Sequence, residues 1–411
     1  MRDLALFLSL VLIFCIPWEN AISVAGLGTL ARLIGMATAI AWLGSILVIG
    51  KIRKPHPFHL LVFLFILWNV MSFFWSFDLD ETQMRVITYV QLGILSWMLW
   101  DLYKTPRALR SALQAYILGA FIAIGGTFYN FVSGQVIGLY SGSRFSGVGM
   151  NANDLALILI LGLPVAWYLM NTNDEKNRIG IRWFVNFAYI LSAIFAILLT
   201  ASRSSVFSIA PVVVYVLMTI NQIKLRTRIF FSIILLGALF ALQIYIPLTN
   251  LTRLSSIPAS IALGDFGGRI ALWRATIKLF FEHPVLGIGS GALNSPLQLG
   301  AYAHNTFLSI LAELGLIGFI LYMALLIITL RGVFKQSNRL SALWLTVFSV
   351  WVIGVFTLTW EFRKPTWLIL NLVVVSASLS TGKVKQKLID QSRTVSSLKR
   401  TDEGTVIPRM L

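Results

Sequence analysis

Long apolar segments alternate with short polar connections along almost the whole chain. A helix that crosses a bilayer needs about 20 predominantly apolar residues, and runs of about this length recur up to residue 380. Because lipid cannot satisfy exposed backbone groups, such runs predict membrane-spanning α-helices. We predict about twelve, with approximate bounds 4–17, 29–50, 57–77, 84–101, 111–132, 154–171, 183–200, 205–221, 229–248, 304–330, 341–360 and 366–380. The predicted fold class is an all-α polytopic membrane protein.

One connection between these helices is much longer than the others. It spans about residues 249–303, between the ninth and tenth helices, and we call it the long loop. Within it, residues 269–282 predict an amphipathic helix that ends at His283-Pro284, because proline cannot continue a helix. Residues 1–380 are therefore expected to form one transmembrane domain with short helices in this loop. Residues 381–411 are expected to form a separate basic tail.

Composition supports the membrane assignment and restricts the chemistry. Only 12% of the residues are charged and 57% are hydrophobic, whereas a soluble domain carries about 25% charged residues. Cys15 is the single cysteine, which excludes an internal disulfide. The histidines and carboxylates show no spacing typical of a metal site, and we expect neither a metal nor a cofactor.

The net charge of +17 indicates topology rather than nucleic-acid binding. Most basic residues fall on alternate connections, and by the positive-inside rule these connections are cytoplasmic. The rule predicts that both termini and the tail are cytoplasmic and that the long loop is on the opposite side. The cytoplasmic charge also suits anionic lipid headgroups. These residues are Arg2, the 51–54 cluster, Lys104, Arg107, Arg110, Lys176, Arg178, Arg182, Lys224, Arg226, Arg228, Arg331, Lys335, Arg339 and those of the tail.

A second set of basic residues lies on the opposite side, where topology does not require them. Each is either a cation that reaches the interface from a helix end or a ligand for an anion. Arg203, in the "ASRSS" turn at 201–205, has hydroxyl groups on both sides and precedes a helix start. An anion site and a cation that only reaches the interface are equally compatible with this pattern. The set comprises Arg32, Arg85, Arg144, Arg203, Arg253, Arg269, Arg274, Lys278, Arg363 and Lys364.

The stretch "AHNTFLSILAELGLIG" at 303–318 places a histidine at the outer rim of the tenth predicted helix. At 100° per residue, Gly315 and Gly318 fall within about 40° of His304 and would let another helix approach that face. Asn305 suits a helix cap or a ligand contact. From the residues alone, His304 is either an ordinary interfacial histidine or a group that transfers protons.

Glu313 lies in the middle of the same predicted helix, on the face opposite His304. A carboxylate at this depth costs a few kcal/mol unless it is protonated or paired. Two interpretations follow, a buried polar contact with another span and a proton relay.

Four motifs in this order resemble those of the O-antigen ligase and O-antigen polymerase superfamily: "SRFSGVGMNAND" at 143–154, "ASRSS" at 201–205, "GGR" at 267–269 and "HN" followed by Gly315 and Gly318. The resemblance implies a metal-independent glycosyltransferase of the bacterial inner membrane, with a periplasmic active site and an undecaprenyl-diphosphate-linked glycan as donor. It implies that His304 is the general base and that Arg203 and Arg269 hold the donor diphosphate. Arg144 is assigned to the diphosphate by a looser match. We expect supporting roles for Asn305, Gly315, Gly318 and Arg274.

The acceptor distinguishes the branches of this superfamily. A ligase, which we favour, attaches the glycan to lipid A-core in lipopolysaccharide biosynthesis. A polymerase adds it to another lipid-linked repeat and builds O-antigen, capsule or exopolysaccharide. A rival class is a membrane transporter or lipid-glycan flippase, which would carry charged or broken-helix sites near the midplane; the notable residues here cluster at the outer rim instead.

Overall fold

A computed structural model describes residues 1–26, 28–136, 144–172, 180–222, 248–262, 268–295 and 301–381, with isolated positions between these ranges. Most of these residues are helical. Within them, strands occur only as a short antiparallel hairpin of Ser23–Val24 with Gly28–Thr29. Seven helices of the described part are long and apolar enough to cross a membrane. The predicted fold class, an all-α polytopic membrane protein, is confirmed.

The helices follow the predicted segments closely. They are α1 (Arg2–Cys15), α2 (Leu30–Ile49), α3 (Pro57–Met71), α4 (Leu79–Leu102), α5 (Pro106–Val132), α6 (Ala152–Asn171), α7 (Ile181–Leu199), α8 (Arg203–Ser208), α9 (Ala210–Thr219), α10 (Leu248–Ser255), α11 (Ile257–Ala262), α12 (Arg269–Glu282), α13 (Thr306–Phe334), α14 (Asn338–Val355) and α15 (364–381). The predicted span 229–248 lies mainly outside the described residues, and the tail after residue 381 lies wholly outside them.

Helix α6 occupies the centre of the bundle. In its most apolar 18-residue window, 83% of the residues are buried, compared with 22% for the peripheral α2. It packs against α5, α7 and α14. Asn151 caps its start, because the side-chain oxygen accepts a hydrogen bond from the backbone N–H of Asn153 at 2.8 Å. The residues at the start of α6 are therefore held at the middle of one end of the bundle.

The opposite end of the bundle is organised around Asp101, which is buried. Its carboxylate lies 2.8 Å from the guanidinium of Arg2 and 3.2 Å from the ammonium of Lys104. It also accepts a hydrogen bond from the backbone N–H of Arg53 at 2.9 Å. Three segments predicted to be cytoplasmic are thus brought to one end of the protein.

Helix α13 differs from the prediction of one continuous helix that begins at residue 304. It begins at Thr306, and its backbone leaves the helical conformation at Gly315, where φ is 63° and ψ is −167°. His304 lies before the helix, with φ of 50°. The predicted alignment of His304 with Gly315 and Gly318 along one helical stripe is therefore wrong, because it assumed an unbroken helix from 304 to 318.

Residues 284–291 of the long loop, the glycine-rich wedge, fill the break in α13. The backbone N–H of Ile288 donates to the Ala312 carbonyl at 2.9 Å, and that of Gly289 donates to the Glu313 carbonyl at 2.9 Å. On the other side of the break, the N–H of Leu316 donates to the Pro284 carbonyl at 2.9 Å. These bonds replace those that the helix loses, as a membrane protein requires.

The wedge is buried from residue 287 onwards, rather than forming the pliable connection that its glycines suggest. Glycine is needed here for close approach. A Cβ on Gly287 would lie 2.5 Å from the Glu313 carbonyl, and one on Gly315 would lie 2.2 Å from the Val285 carbonyl. Both glycines also have positive φ, a conformation that glycine adopts without steric cost.

Candidate functional site

His304 lies at the rim of the bundle between two fixed neighbours. The carbonyl of Ala303 accepts a hydrogen bond from the indole of Trp273 on α12, at 3.1 Å. Asn305 caps α13, and its Oδ1 accepts from the N–H groups of Phe307 and Leu308 at 3.0 and 3.1 Å. Between them His304 adopts the left-handed conformation, which is uncommon for a residue with a Cβ. The contacts on either side, at Ala303 and Asn305, hold this backbone conformation in place.

The surroundings of His304 favour a neutral imidazole. The pKa of His304 is lowered from its ordinary 6.5, first by partial burial and then by the positive charge of Arg269. The carboxylate of Asp154 acts in the opposite direction and raises it. Because the lowering effects are the larger, they favour the neutral ring, which is the form that can accept a proton. Arg269 and Asp154 are therefore the charged neighbours of this ring.

The start of α6 joins two of the predicted motifs. Oδ1 of Asn153 accepts hydrogen bonds from Nη2 of Arg144 at 2.8 Å and from Oγ of Ser202 at 2.9 Å. Nε of Arg144 donates to the carbonyl of Thr200 at 2.9 Å. The loop that carries Arg144 and the turn that carries Ser202 thus meet at the residue next to Asp154.

Arg203 is the first residue of α8 and is half-buried. Its Nη2 donates to Oγ of Ser256, in the long loop, at 2.9 Å. The preceding Ala201 is buried and has a positive φ of 43°, so the turn is sharp. Asn250, also in the long loop, donates to the carbonyl of Leu199 at 3.1 Å and closes the end of α7. The long loop therefore packs directly over the turn that carries Arg203.

Arg269 and Arg274 are both on α12 but lie on different faces. Arg269 is its first residue, follows Gly268 with φ of 78°, and is half-buried. Burial lowers the pKa of Arg269 from 12.5. Arg274 is exposed and, five residues further on, is rotated by about 140° from Arg269. The structure therefore brings Arg269 to His304 and leaves Arg274 outside this group.

A buried ionic network lies behind the rim. Nη1 of Arg85 on α4 is 3.2 Å from Oε1 of Glu361 and 3.7 Å from Oε2 of Glu313. Oε2 of Glu313 also accepts from the N–H of Gly291 at 2.8 Å. All three ionic side chains are at most 6% exposed. Of the two interpretations of Glu313, the structure supports the buried contact with another span.

Sequence reasoning placed Arg85 among the outer basic residues and missed this network. An arginine inside one apolar helix and a carboxylate inside another are the signal that could have paired them.

Gly315 and Gly318 both allow close packing, but with different partners. Gly315 contacts the glycine-rich wedge, as described above. Gly318 faces α3, where a Cβ would lie 3.2 Å from a ring carbon of Trp68. The indole of Trp68 donates to the carbonyl of Leu314 at 2.9 Å. The second glycine therefore leaves room for the tryptophan that donates to the Leu314 carbonyl.

A metal site in a protein needs several suitable ligands close together. In the part of the chain that the structure describes, no three His, Cys, Asp or Glu residues lie together in a way that could hold a metal ion.

Comparisons with known proteins agree with the motifs. A family model described as O-antigen ligase matches residues 187–323, a range that includes Arg203, Arg269 and His304. The exopolysaccharide production protein ExoQ of Rhizobium meliloti (strain 1021) is 23% identical over 326 residues, which covers 72% of this chain and 70% of that protein.

Proposed function

We propose, on the premise that this chain belongs to the O-antigen ligase and polymerase superfamily, that it is a glycosyltransferase. It transfers a glycan from undecaprenyl diphosphate to an acceptor hydroxyl at the periplasmic face of the bacterial inner membrane. The observation that carries this proposal is the convergence of distant motifs at the start of α6. Asn153 binds Arg144 and the serine–arginine turn, while the adjacent Asp154 acts on His304.

The arginines suit a diphosphate leaving group. Such a group carries about two negative charges and gains more as the glycosidic bond breaks. A guanidinium keeps its charge at any physiological pH and presents forked donors to phosphate oxygens. In this mechanism Arg203 and Arg269 hold the donor diphosphate, and Arg144, which the resemblance also assigns to the diphosphate, is joined to the same turn through Asn153. Fixed cations at a partly buried site stabilise the developing charge more than water would.

His304 suits the role of general base. An acceptor sugar hydroxyl is a weak nucleophile, and its attack on the anomeric carbon is easier when a neutral imidazole removes its proton. Arg269 and burial favour the neutral ring, and Asp154 would stabilise the imidazolium that forms. The bond from the anomeric carbon to the diphosphate breaks as the new glycosidic bond forms. A single displacement of this kind inverts the anomeric centre.

Two acceptors are each supported by one comparison. The matching family model is described as O-antigen ligase, which favours lipid A-core as the acceptor. The similarity to a protein named for exopolysaccharide production favours growth of a polysaccharide on a lipid-linked repeat. We favour the ligase, because the match to its family model covers the segment that carries His304 and both donor arginines.

A transporter or flippase would use a broken membrane helix as its substrate site, and α13 is broken at Gly315. The backbone groups at this break are bonded to the glycine-rich wedge and to Trp68. Glu313 is bonded to Gly291 and paired with Arg85. Because the protein's own residues occupy the break, these contacts support a site at the rim.

Deletion of the gene followed by glycan analysis tests the proposal and separates its branches. A ligase predicts that polymerised glycan accumulates on undecaprenyl diphosphate and is absent from lipid A-core. A polymerase predicts single repeats in place of long chains. Unchanged glycans in the deletion strain, with the lipid-linked precursors at wild-type levels, would contradict both.

A further inference from the structure

The connection between α14 and α15 forms a rigid turn that carries Arg363. The N–H of Arg363 donates to the Trp360 carbonyl at 3.1 Å, and Oγ1 of Thr366 donates to the same carbonyl at 2.8 Å. The indole of Trp367 donates to the Glu361 carbonyl at 2.7 Å. Because these bonds fix the backbone from 360 to 367, the position of Arg363 is set by the fold and not by a free loop.

This turn touches the candidate site at two points. The indole of Trp360 donates to Oδ1 of Asp154 at 2.7 Å, and Asp154 acts on His304. The ring of Phe362 lies 5.9 Å from the ring of Tyr302, two residues before His304. The guanidinium carbon of Arg363 is 5.0 Å from the centre of the Phe362 ring. Arg363 is therefore linked to Tyr302, and so to the segment that carries His304, through the ring of Phe362.

Two cations that lie close to this turn are neutralised by carboxylates. Arg85 is paired with Glu313 and Glu361, and Lys364 is paired with Glu19. Arg363 forms no ion pair with a carboxylate of the described residues. Its Nε is buried and has no hydrogen-bond partner among them. A buried donor without a partner destabilises the folded protein, so this side chain is suited to a partner that arrives with the substrate.

We infer that Arg363 binds an anionic oxygen group of a substrate, a phosphate or a carboxylate, through its forked donors. The inference rests on the proposed function and adds a further binding residue to it. Two sources share this chemistry. One is the donor diphosphate, for which Arg363 would add to Arg203 and Arg269. The other is an acidic group of the acceptor, such as the phosphate of a lipid-linked repeat or of a lipid A-core.

The test compares Arg363→Gln with Lys364→Gln in the full chain, purified and reconstituted in lipid nanodiscs. Lys364 is the matched control, because it is the neighbouring cation on the same turn and its partner is Glu19. Undecaprenyl diphosphate without a glycan is the probe for the donor site. The KM of the acceptor in a transfer assay with the natural lipid-linked donor is the probe for the acceptor site. Arg203→Gln is the reference for lost donor binding.

If Arg363 binds the donor diphosphate, Arg363→Gln should weaken binding of undecaprenyl diphosphate by about tenfold or more. If Arg363 binds an acidic group of the acceptor, Arg363→Gln should leave binding of this lipid unchanged and raise the KM for the acceptor by about tenfold. Lys364→Gln should change neither quantity by more than about twofold. If Arg363→Gln and Lys364→Gln have the same lipid binding and the same KM for the acceptor, the inference is overturned and the proposed function is left intact. A wild-type protein that neither binds this lipid nor transfers glycan would overturn both.

Gel filtration and thermal denaturation show whether Arg363→Gln folds. If it does not, the same two quantities are measured in Arg363→Lys instead. The ammonium keeps the charge but loses the fork, so a loss of about threefold or more in the affected quantity supports the inference. Wild-type values in that variant overturn it.

Discussion

Oδ1 of Asp154 accepts a hydrogen bond from the indole of Trp360 over 2.7 Å, and the same carboxylate acts on His304. The bond joins the start of α6 to the turn before α15, two segments that are 206 residues apart. Asp154 is therefore held in place by a residue other than the histidine. A carboxylate near an imidazole stabilises its protonated form, so we expect Asp154 to act as a positioning residue for His304.

We expect Asp154→Asn to move the acid limb of the pH profile to lower pH. Asparagine can still accept from Trp360 but no longer raises the pKa of His304, so that pKa falls further below 6.5. A histidine acts as a base only when neutral, so activity is lost as pH falls through its pKa. The measurement is kcat/KM of the purified enzyme between pH 5 and 8. An acid limb that stays in place would contradict a direct effect of Asp154 on His304.

Arg269→Gln should shift the same limb in the opposite direction. Removal of this positive charge lets the pKa of His304 rise, so the loss of activity begins at higher pH. The variant should also transfer more slowly at every pH, by about tenfold or more, because one cation for the diphosphate is lost. Arg274 is an exposed cation on the same helix, so Arg274→Gln is the control and its pH profile should match that of the wild type. A limb that moves to lower pH in Arg269→Gln would refute this assignment.

His304→Ala should abolish transfer while the protein inserts and accumulates as wild type does. Removal of a general base costs about two to four orders of magnitude in rate. His283→Ala is a matched control in the same loop, where the ring packs against Phe77 at 4.9 Å and lies outside the proposed site. Transfer is measured with membranes adjusted to equal amounts of protein. If His304→Ala loses abundance and activity together, the residue is structural.

Arg203→Lys should impair transfer although the charge is retained. Lysine offers a point charge where arginine offers two parallel donors, and it cannot reproduce a forked contact that also reaches Ser256. We expect a loss of about tenfold in kcat/KM, compared with less than about twofold for Arg274→Lys. Wild-type rates in Arg203→Lys would argue against a bidentate contact with the diphosphate.

Arg85→Met should destabilise the protein rather than alter its chemistry. The substitution leaves Glu313 and Glu361 buried without their counter-ion, and breaking such a pair costs about 3–5 kcal/mol. We expect lower abundance and a lower melting temperature in detergent. Lys278→Met is the control, since its contact with Glu282 is exposed and 3.8 Å long, and exposed pairs contribute little. Wild-type stability in Arg85→Met would show that the network is not needed for folding.

Features that depend on local sequence could be predicted well. The bounds of α12 follow from the glycines before Arg269 and from Pro284, and the structure has the same bounds. Asparagine is a favoured helix cap, so Asn151 before the apolar run at 154–171 indicates a helix start, and Asn151 does cap α6. In both cases neighbouring residues determine the backbone, so a single sequence contains the information.

Features that depend on contacts between distant residues could not be predicted. The break at Gly315 is stabilised by the wedge, whose residues precede it by more than 20 positions, and by Trp68, which is 246 residues from Leu314. An isolated "ELGLIG" sequence is compatible with a continuous helix. The contact of Trp360 with Asp154 is similarly remote, which is why Asp154 could be identified only as part of a helix start.

The break in α13 also bears on the order of biosynthetic events. The part of α13 before the break, Thr306–Leu314, is too short to cross a bilayer by itself. The 29-residue segment Thr306–Phe334 is therefore expected to enter the membrane as one span. The wedge at 284–291 precedes that span in the sequence and is therefore synthesised before it. The bend can therefore form only afterwards, when the wedge docks. Substitutions in the wedge should therefore leave the insertion of this span intact and impair the bend, which forms later.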